Sequence, residues 1–284
     1  MQVDIRSIIS SKNPKLIKRI PGFVLNWLER FIHQDLINQI LKEGEGQTGS
    51  DFIDTVFRVN NVQTQNDFLE RIPKSGGVII AANHPLGGLD GMALMLAVSK
   101  VRKDYLFLAN DILMNITPLK EHFLPVNRMG RNAKESLALI SEAYASGKAI
   151  LIFPSGFVSR KINGTIQDLP WQKSVITKAR EHNLPIVPVF VHGSNSKRFY
   201  RISNFRKIFG IKVNFEMFTL PDEMFKQSGK TIRLTFGPVI KNDQIRKGRP
   251  IEVACLRIST RLVRANFQSD KGKREFNPQL FFQG

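Results

Sequence analysis

A histidine and an aspartate stand six positions apart in the stretch AANHPLGGLDGMALMLAVSK, which runs from Ala81 to Lys100. A neutral imidazole, with a pKa near ~6.5, can take a proton at neutral pH. It does this well when a carboxylate holds one ring nitrogen, which sets the tautomer and stabilises the imidazolium that forms. Asp90 can serve His84 in this way if the chain folds back between them, and Gly87 and Gly88 give the backbone that freedom. Asp90 has a second reading, as the N-cap of the apolar helix that follows. Spacing alone leaves both open.

Three further stretches carry polar chemistry. In ILIFPSGFVSRK, residues 150–161, an apolar run ends at Pro154 and is followed by Ser155, Gly156, Ser159 and Arg160. Small hydroxyl residues beside an arginine suit an anionic or polar head group; a tight turn with a solvated arginine reads equally from the same letters. FPSGF lacks the G-x-S-x-G pattern of a nucleophilic serine, which argues against a serine hydrolase. In FLPVNRMGRNAKES, residues 123–136, Arg128 and Arg131 precede a helix whose N-terminal N–H groups would add to their charge at an anion site; as two surface arginines they would do nothing. In HNLPIVPVFVHGSNSKRFY, Pro185 and Pro188 suggest an irregular or edge strand, and His192 reads as structural.

Those residues need elements to position them. Short apolar runs at 78–82, 105–109, 123–126, 149–153, 186–192, 212–218 and 231–236 read as strands. Helical patterns at 90–100, 133–146, 170–182 and 250–266 alternate with them, and Gly147 is a natural helix stop. Such alternation predicts an α/β domain with a mixed, largely parallel central sheet flanked by helices. In such sheets ligands gather at loops leaving the carboxyl ends of strands, where NHPLGGLD and PSGFVSRK both fall. The domain is expected over residues 51–267. It is preceded by an amphipathic helical segment, 1–45, where Val24, Trp27, Leu28 and Phe31 follow helical spacing. Residues 268–284 are set apart as a tail that supports no expectation, with non-native residues at its end left open.

Composition narrows the class. The chain has 284 residues, 42% of them hydrophobic, enough for a sizeable core. Lys and Arg number 42 against 24 Asp and Glu, a formal net charge of +18. That balance points to an acidic partner: nucleic acid, an anionic membrane or an acidic carrier protein. The single cysteine, Cys255, excludes an internal disulfide and reads as a small buried hydrophobe in a reducing compartment. No Cys/His spacing suits a metal. No apolar run approaches the ~20 residues of a membrane span, and Lys12, Lys15, Lys18 and Arg19 break any signal-peptide pattern.

The order of the blocks NHPLGGLDG, LPVNRMGR, FPSGFVSR and LPIVPVFVHG resembles the glycerolipid acyltransferase superfamily, across about forty percent of the chain. The family's first block is Asn-His, four residues, Asp; here five residues, Pro85 to Leu89, lie between. Its third block reads Phe-Pro-Glu-Gly-Thr-Arg; here Ser155 replaces the glutamate and the arginine, Arg160, is displaced. Both departures are like the subgroup that makes ornithine and glycine lipids, where a 3-hydroxyacyl amino acid is O-acylated. The resemblance implies an O-acyltransferase with His84 as general base and Asp90 as its orienting carboxylate. Asn83, Arg128, Arg131, Ser155, Gly156, Ser159 and Arg160 would bind substrate. The co-substrate would be acyl carrier protein or coenzyme A thioester, with no cofactor and no metal. Lysophosphatidic acid acylation is the runner-up.

A lysolipid acceptor implies peripheral binding at the cytoplasmic side of an anionic cell membrane. Two stretches combine aromatic and basic residues as such binding requires. One is the N-terminal segment with Trp27 and Phe31. The other is SKRFYRISNFRKIFGIK, residues 196–212, with Phe199, Tyr200, Phe205, Arg206, Lys207 and Phe209 and no clean helical period. A non-catalytic basic protein that binds membrane or nucleic acid is the competing class, but no nucleic-acid-binding signature accompanies the charge.

Overall fold

The strand that delivers His84 is VIIAA, β-branched and small residues buried along their whole length. A strand apolar on both faces belongs inside a parallel sheet covered on both sides. The computed structural model, which describes residues 2–12, 14–17, 19–126, 133–211 and 213–245, places it there. The strands are β1 (Gln63–Asp67), β2 (Val78–Ala82), β3 (Tyr105–Ala109), β4 (Phe123–Pro125), β5 (Ala149–Ile152), β6 (Arg160–Ile162), β7 (Thr165–Gln167), β8 (Ile186–Val191) and β9 (Thr231–Phe236). Seven form one sheet in the order β1-β9-β8-β2-β5-β3-β4, and β6 and β7 form a separate hairpin. Every neighbouring pair in the large sheet is parallel except β8 with β9. The expected mixed, largely parallel sheet is therefore present.

The helices are α1 (Ile5–Lys12), α2 (Pro14–Ile17), α3 (Gly22–Phe31), α4 (Gln34–Glu43), α5 (Gly49–Val59), α6 (Gly88–Ser99), α7 (Ala133–Ala145), α8 (Ser174–Glu181), α9 (Lys197–Ile208) and α10 (Leu220–Phe225). GLDGMALMLAVS is apolar nearly all round, so α6 has no solvent face and is buried between the sheet, α5 and α10. The first helices are tied to the domain at their junction. His33 Nε2 lies 2.9 Å from Asp222 Oδ1 in α10, and Arg198 at the start of α9 sits over the Phe31 ring.

Several expectations change. The described part of the expected strand at 212–218 is not a strand: 215–219 form a 3-10 turn, because the chain must bring Glu216 inward. The prolines of 185–191 do not mark an edge, since β8 lies between β9 and β2. The Pro188 nitrogen faces the side on which Ile186 N–H bonds Ile240 O, and β9 has already ended there at Phe236, so no ladder bond is lost. The segment 196–212 is largely the helix α9, capped by Ser196 Oγ, which accepts from Phe199 N. Its inward face includes Phe199, Ser203 and Arg206, and two polar residues there hide the helical period from a hydrophobicity reading. The consequence is a correction: Phe199 and Tyr200 are buried and cannot meet a membrane, and Arg206 is bonded to Glu216. Phe205, Lys207 and Phe209 are exposed, as is Trp27, which stacks on a partly buried Phe31. Arg128, Arg131, Cys255, the expected helix at 250–266 and the tail lie outside the described residues.

Glu216, fully buried, is the hub of this outer layer. It accepts from Arg160 Nη2 at 2.9 Å and from Arg206 Nε at 3.0 Å, joining β6, the 3-10 turn and α9. Removing one member of a buried ion group leaves charge uncompensated, at a cost of about 3–5 kcal/mol. Glu216→Ala is expected to lower Tm by roughly 10 °C. A thermal melt that moves by under about 2 °C would contradict this account of the layer.

Candidate active site

Three adjacent parallel strands, β8, β2 and β5, end together and send out the loops that build the site. Asn83, one residue past β2, extends the sheet with its side chain. Its Nδ2 donates to Val191 O at 3.0 Å and its Oδ1 accepts from Val191 N at 2.7 Å. The amide thus imitates a ladder pair and locks the end of β2 to the end of β8. Asn83 is placed beside the site as a clamp.

His84 follows. Its Nδ1 lies 2.9 Å from Asp90 Oδ1, with the imidazole 18% exposed and the carboxylate fully buried. Asp90 Oδ2 accepts from Leu86 N at 2.8 Å. Asp90 is therefore not the N-cap of α6; it sits in the first turn, where the helix dipole favours a negative charge. The carboxylate faces Nδ1, so that nitrogen carries the proton and Nε2 keeps its lone pair. One face of the ring stacks on Phe153 at 4.0 Å between centroids, and Phe107 meets Phe153 edge-on. These contacts hold the imidazole in one orientation.

The turn depends on Gly87, which has φ +83° as the chain leaves His84 and enters α6. A Cβ there would lie 3.2 Å from Leu220 Cδ2, at the start of α10. The five residues between His84 and Asp90 thus accommodate the pair by a glycine-only conformation.

The loop after β5 lies against this turn. Ser159 N donates to His84 O at 2.7 Å. Ser155 is buried, and its hydroxyl donates to Phe157 O at 2.8 Å within a turn that Gly156 closes at φ +66°. Ser159 Oγ donates to Asp168. Arg160 is buried and turned away, its guanidinium bonded to Glu216 and to Val158 O; burial pushes its pKa down while Glu216 works in the opposite sense. His84, Asp90, Asn83 and Ser159 are thus brought together, Ser155 and Gly156 shape the neighbouring turn, and Arg160 is committed to the outer layer. Among the described residues no cluster of His, Cys, Asp and Glu suited to a metal occurs.

Two contributors escaped the sequence reading. Phe153 supplies the stacking face, and its place just before Pro154 was the available signal. Asp168, in QDLPW, accepts from His84 N at 3.2 Å, from Ser159 Oγ, and from Trp171 Nε1 at 2.9 Å. Burial pushes its carboxyl up more than these donors draw it down. Nothing in its spacing pointed to His84, 84 positions earlier.

The largely parallel sheet thus carries the His84–Asp90 pair at the end of its central strand, and comparison with known proteins gives the class of enzyme. Residues 7–267 match the acyltransferase family, and the chain belongs to it. It is 37% identical over 239 residues to a lyso-glycine lipid O-acyltransferase of Bacteroides thetaiotaomicron, covering 84% of this chain and 88% of that one. A protein of the same description from Phocaeicola vulgatus is 36% identical over 239 residues, 84% of this chain and 86% of that one. The crystal structure of the 1-acyl-sn-glycerophosphate (LPA) acyltransferase PlsC from Thermotoga maritima shares the fold, with a TM-score of 0.52 and 16% identity over 80% of each chain.

Gly87→Ala would combine a positive φ with a close approach to Leu220, and backbone strain of this kind costs about 1–3 kcal/mol. The variant is expected to melt several degrees lower and to lose activity beyond its loss of folded protein, because the turn sets the His84–Asp90 distance. Unchanged specific activity would show that the turn tolerates a side chain.

Proposed function

We propose that this acyltransferase moves a fatty acyl group from a thioester donor to the hydroxyl of a lyso-aminolipid, a lyso-glycine lipid in the first place. The observation that carries the mechanism is the 2.9 Å contact between His84 Nδ1 and the buried Asp90. His84 Nε2 takes the proton of the acceptor hydroxyl as its oxygen attacks the thioester carbonyl. Asp90 stabilises the imidazolium. The tetrahedral intermediate then breaks its C–S bond, and the thiolate leaves with the proton from Nε2. The products are an ester and a free thiol. No covalent acyl-enzyme is required, consistent with a Ser155 hydroxyl that is already bonded within its own turn.

Two features favour an aminolipid over a glycerol phosphate acceptor. The described relatives act on lyso-glycine lipid. Arg160, the cation of the third block, is bonded to Glu216 and does not offer its guanidinium to a phosphate. The donor is acyl carrier protein or coenzyme A, and the formal +18 charge of the chain suits the acidic carrier.

The lipid acceptor requires docking at a membrane, and the structure narrows the candidate surface. Phe205, Ile208, Phe209, Val213 and Phe218 are all more than half exposed along the end of α9 and the following turn. Lys197, Arg201 and Lys207 are exposed on the same helix, and the acids that bond to α9 and its cap, Glu216, Asp222 and Glu223, are buried. Apolar groups among cations suit the headgroup boundary of an anionic bilayer, with each engaged cation adding about 1 kcal/mol. Phe23 and Trp27 on α3 offer a second apolar contact. Leu220 links this surface to the catalytic turn through its packing on Gly87. Among the described residues no helix is long and apolar enough to cross a membrane, and docking on the cytosolic leaflet would be peripheral.

Purified protein given labelled acyl carrier protein or acyl-CoA, with lyso-glycine lipid, lyso-ornithine lipid and lysophosphatidic acid in parallel, is expected to acylate lyso-glycine lipid fastest. A preference for lysophosphatidic acid would overturn the acceptor assignment. His84→Ala is expected to lower kcat by about 10²–10⁴-fold, the usual worth of a general base. Asp90→Asn should have a comparable effect with the fold retained.

In vesicle co-sedimentation, binding is expected with anionic but not neutral lipid, and to weaken at high salt. Ile208→Asp with Phe209→Asp should abolish it. Equal binding to both lipids, or full binding by the double variant, would rule out this surface as the dock.

A further inference from the structure

Asp90 orients the His84 ring, but it cannot by itself fix where the ring stands. That depends on the His84 peptide, which lies past the last ladder pair of β2, Ala82 with Val189. An N–H and a C=O beyond the end of a strand need other partners. Both are found on one loop system. The His84 N–H donates to Asp168 Oδ1 at 3.2 Å. The His84 carbonyl accepts from Ser159 N at 2.7 Å. Ser159 Oγ in turn donates to the same Asp168 oxygen, so His84, Ser159 and Asp168 close a ring of three hydrogen bonds. Trp171 Nε1 donates to the other oxygen at 2.9 Å and sets the plane of the carboxylate.

All three groups aimed at Asp168 donate, and its two oxygens accept from them. An asparagine would turn an NH2 either toward Trp171 Nε1–H or toward the His84 and Ser159 donors. Burying a carboxylate is costly unless it is well bonded. This one, only 8% exposed, stands directly behind the base.

We propose that Asp168 is a positioning residue for acyl transfer, holding the His84 peptide so that Nε2 stays on the path of the attacking hydroxyl. The inference rests on His84 being the base. It assigns Asp168 no contact with substrate: its effect passes through the backbone of His84 and the Ser159 loop. The loop after β5 and the hairpin of β6 and β7 thereby become part of the catalytic frame.

The test compares kcat and KM per folded molecule, with the folded fraction read from circular dichroism. A displacement of about 1 Å at a catalytic group costs on the order of 10²-fold. Asp168→Ala is therefore expected to lower kcat by about 10–100-fold, with KM for donor and acceptor within about threefold. A merely structural role would reduce the folded fraction and leave kcat per folded molecule unchanged, and that result overturns the proposal. Because three buried donors left without an acceptor can prevent folding, a second variant pairs Asp168→Asn with Trp171→Phe. It removes the donor that would oppose the new NH2 and keeps Oδ1 facing His84 and Ser159. Asp168→Asn alone is expected to match the alanine variant, and the pair to recover to within about fivefold of wild type. Recovery no better than the single substitution, or full activity of the single substitution, overturns the proposal. His84→Ala runs beside them. If it retains turnover, the base assignment has failed; if it is inactive while Asp168→Ala turns over normally, only the present inference has.

Discussion

The buried carboxylate of Asp90 is the constraint around which the site is organised. A carboxylate without access to water must have its oxygens bonded, and here one takes the His84 ring and the other the Leu86 N–H. Meeting both demands within a few residues forces a reversal of the chain, and the reversal needs Gly87 at a positive φ. The start of α6 is then set, because Asp90 lies in its first turn where the helix dipole also favours a negative charge. Since α6 is apolar all round, it must be covered by the sheet, α5 and α10. The His84–Asp90 turn is therefore held by a large part of the core.

A second layer keeps the loops in register with that turn. Asn83 continues the β2–β8 pairing with its side chain, while the Ser159–Asp168 ring does so on the other side of the His84 peptide. Farther out, Glu216 gathers Arg160 and Arg206 into a buried ion group joining the hairpin, the 3-10 turn and α9. Isolated buried ion pairs often contribute little net stability. Their directional bonds specify one arrangement of the loops, and that arrangement keeps exposed aromatics on the outer side of α9. The His84 turn and the exposed aromatics are connected through packing: Leu220, two residues after Phe218, rests against Gly87.

What was legible in the sequence follows from the range of the interactions. Strands such as 78–82 and 105–109 and the helix beginning near Asp90 could be read because periodicity and apolar content are local properties. His84 and Asp90 could be read because both partners lie in one turn. Asn83 and Ser159 drew attention as members of recurrent blocks, but their bonding could not be inferred from letters. The central position of β8 was missed because proline in a strand ordinarily marks an edge; here the missing donor falls where β9 has already ended. The helix α9 was missed because its inward face carries Ser203 and Arg206, which are acceptable there only because the protein surrounds them.

The sequence by itself determined the alternating α/β architecture, the acyltransferase blocks and their order, the histidine with its carboxylate, and the strong positive charge. Only the tertiary structure decided the fates of Arg160 and Asp168. One was a candidate for substrate and is bonded to Glu216, 56 positions away; the other attracted no notice and lies against the His84 peptide from 84 positions away. The same holds for residues 196–212, where folding buried Phe199 and Tyr200 and left Phe205 and Phe209 outside. Charge and aromatic content are properties of a residue, but burial and bonding are properties of its neighbours. When those neighbours are brought from distant parts of the chain, no local pattern encodes the outcome.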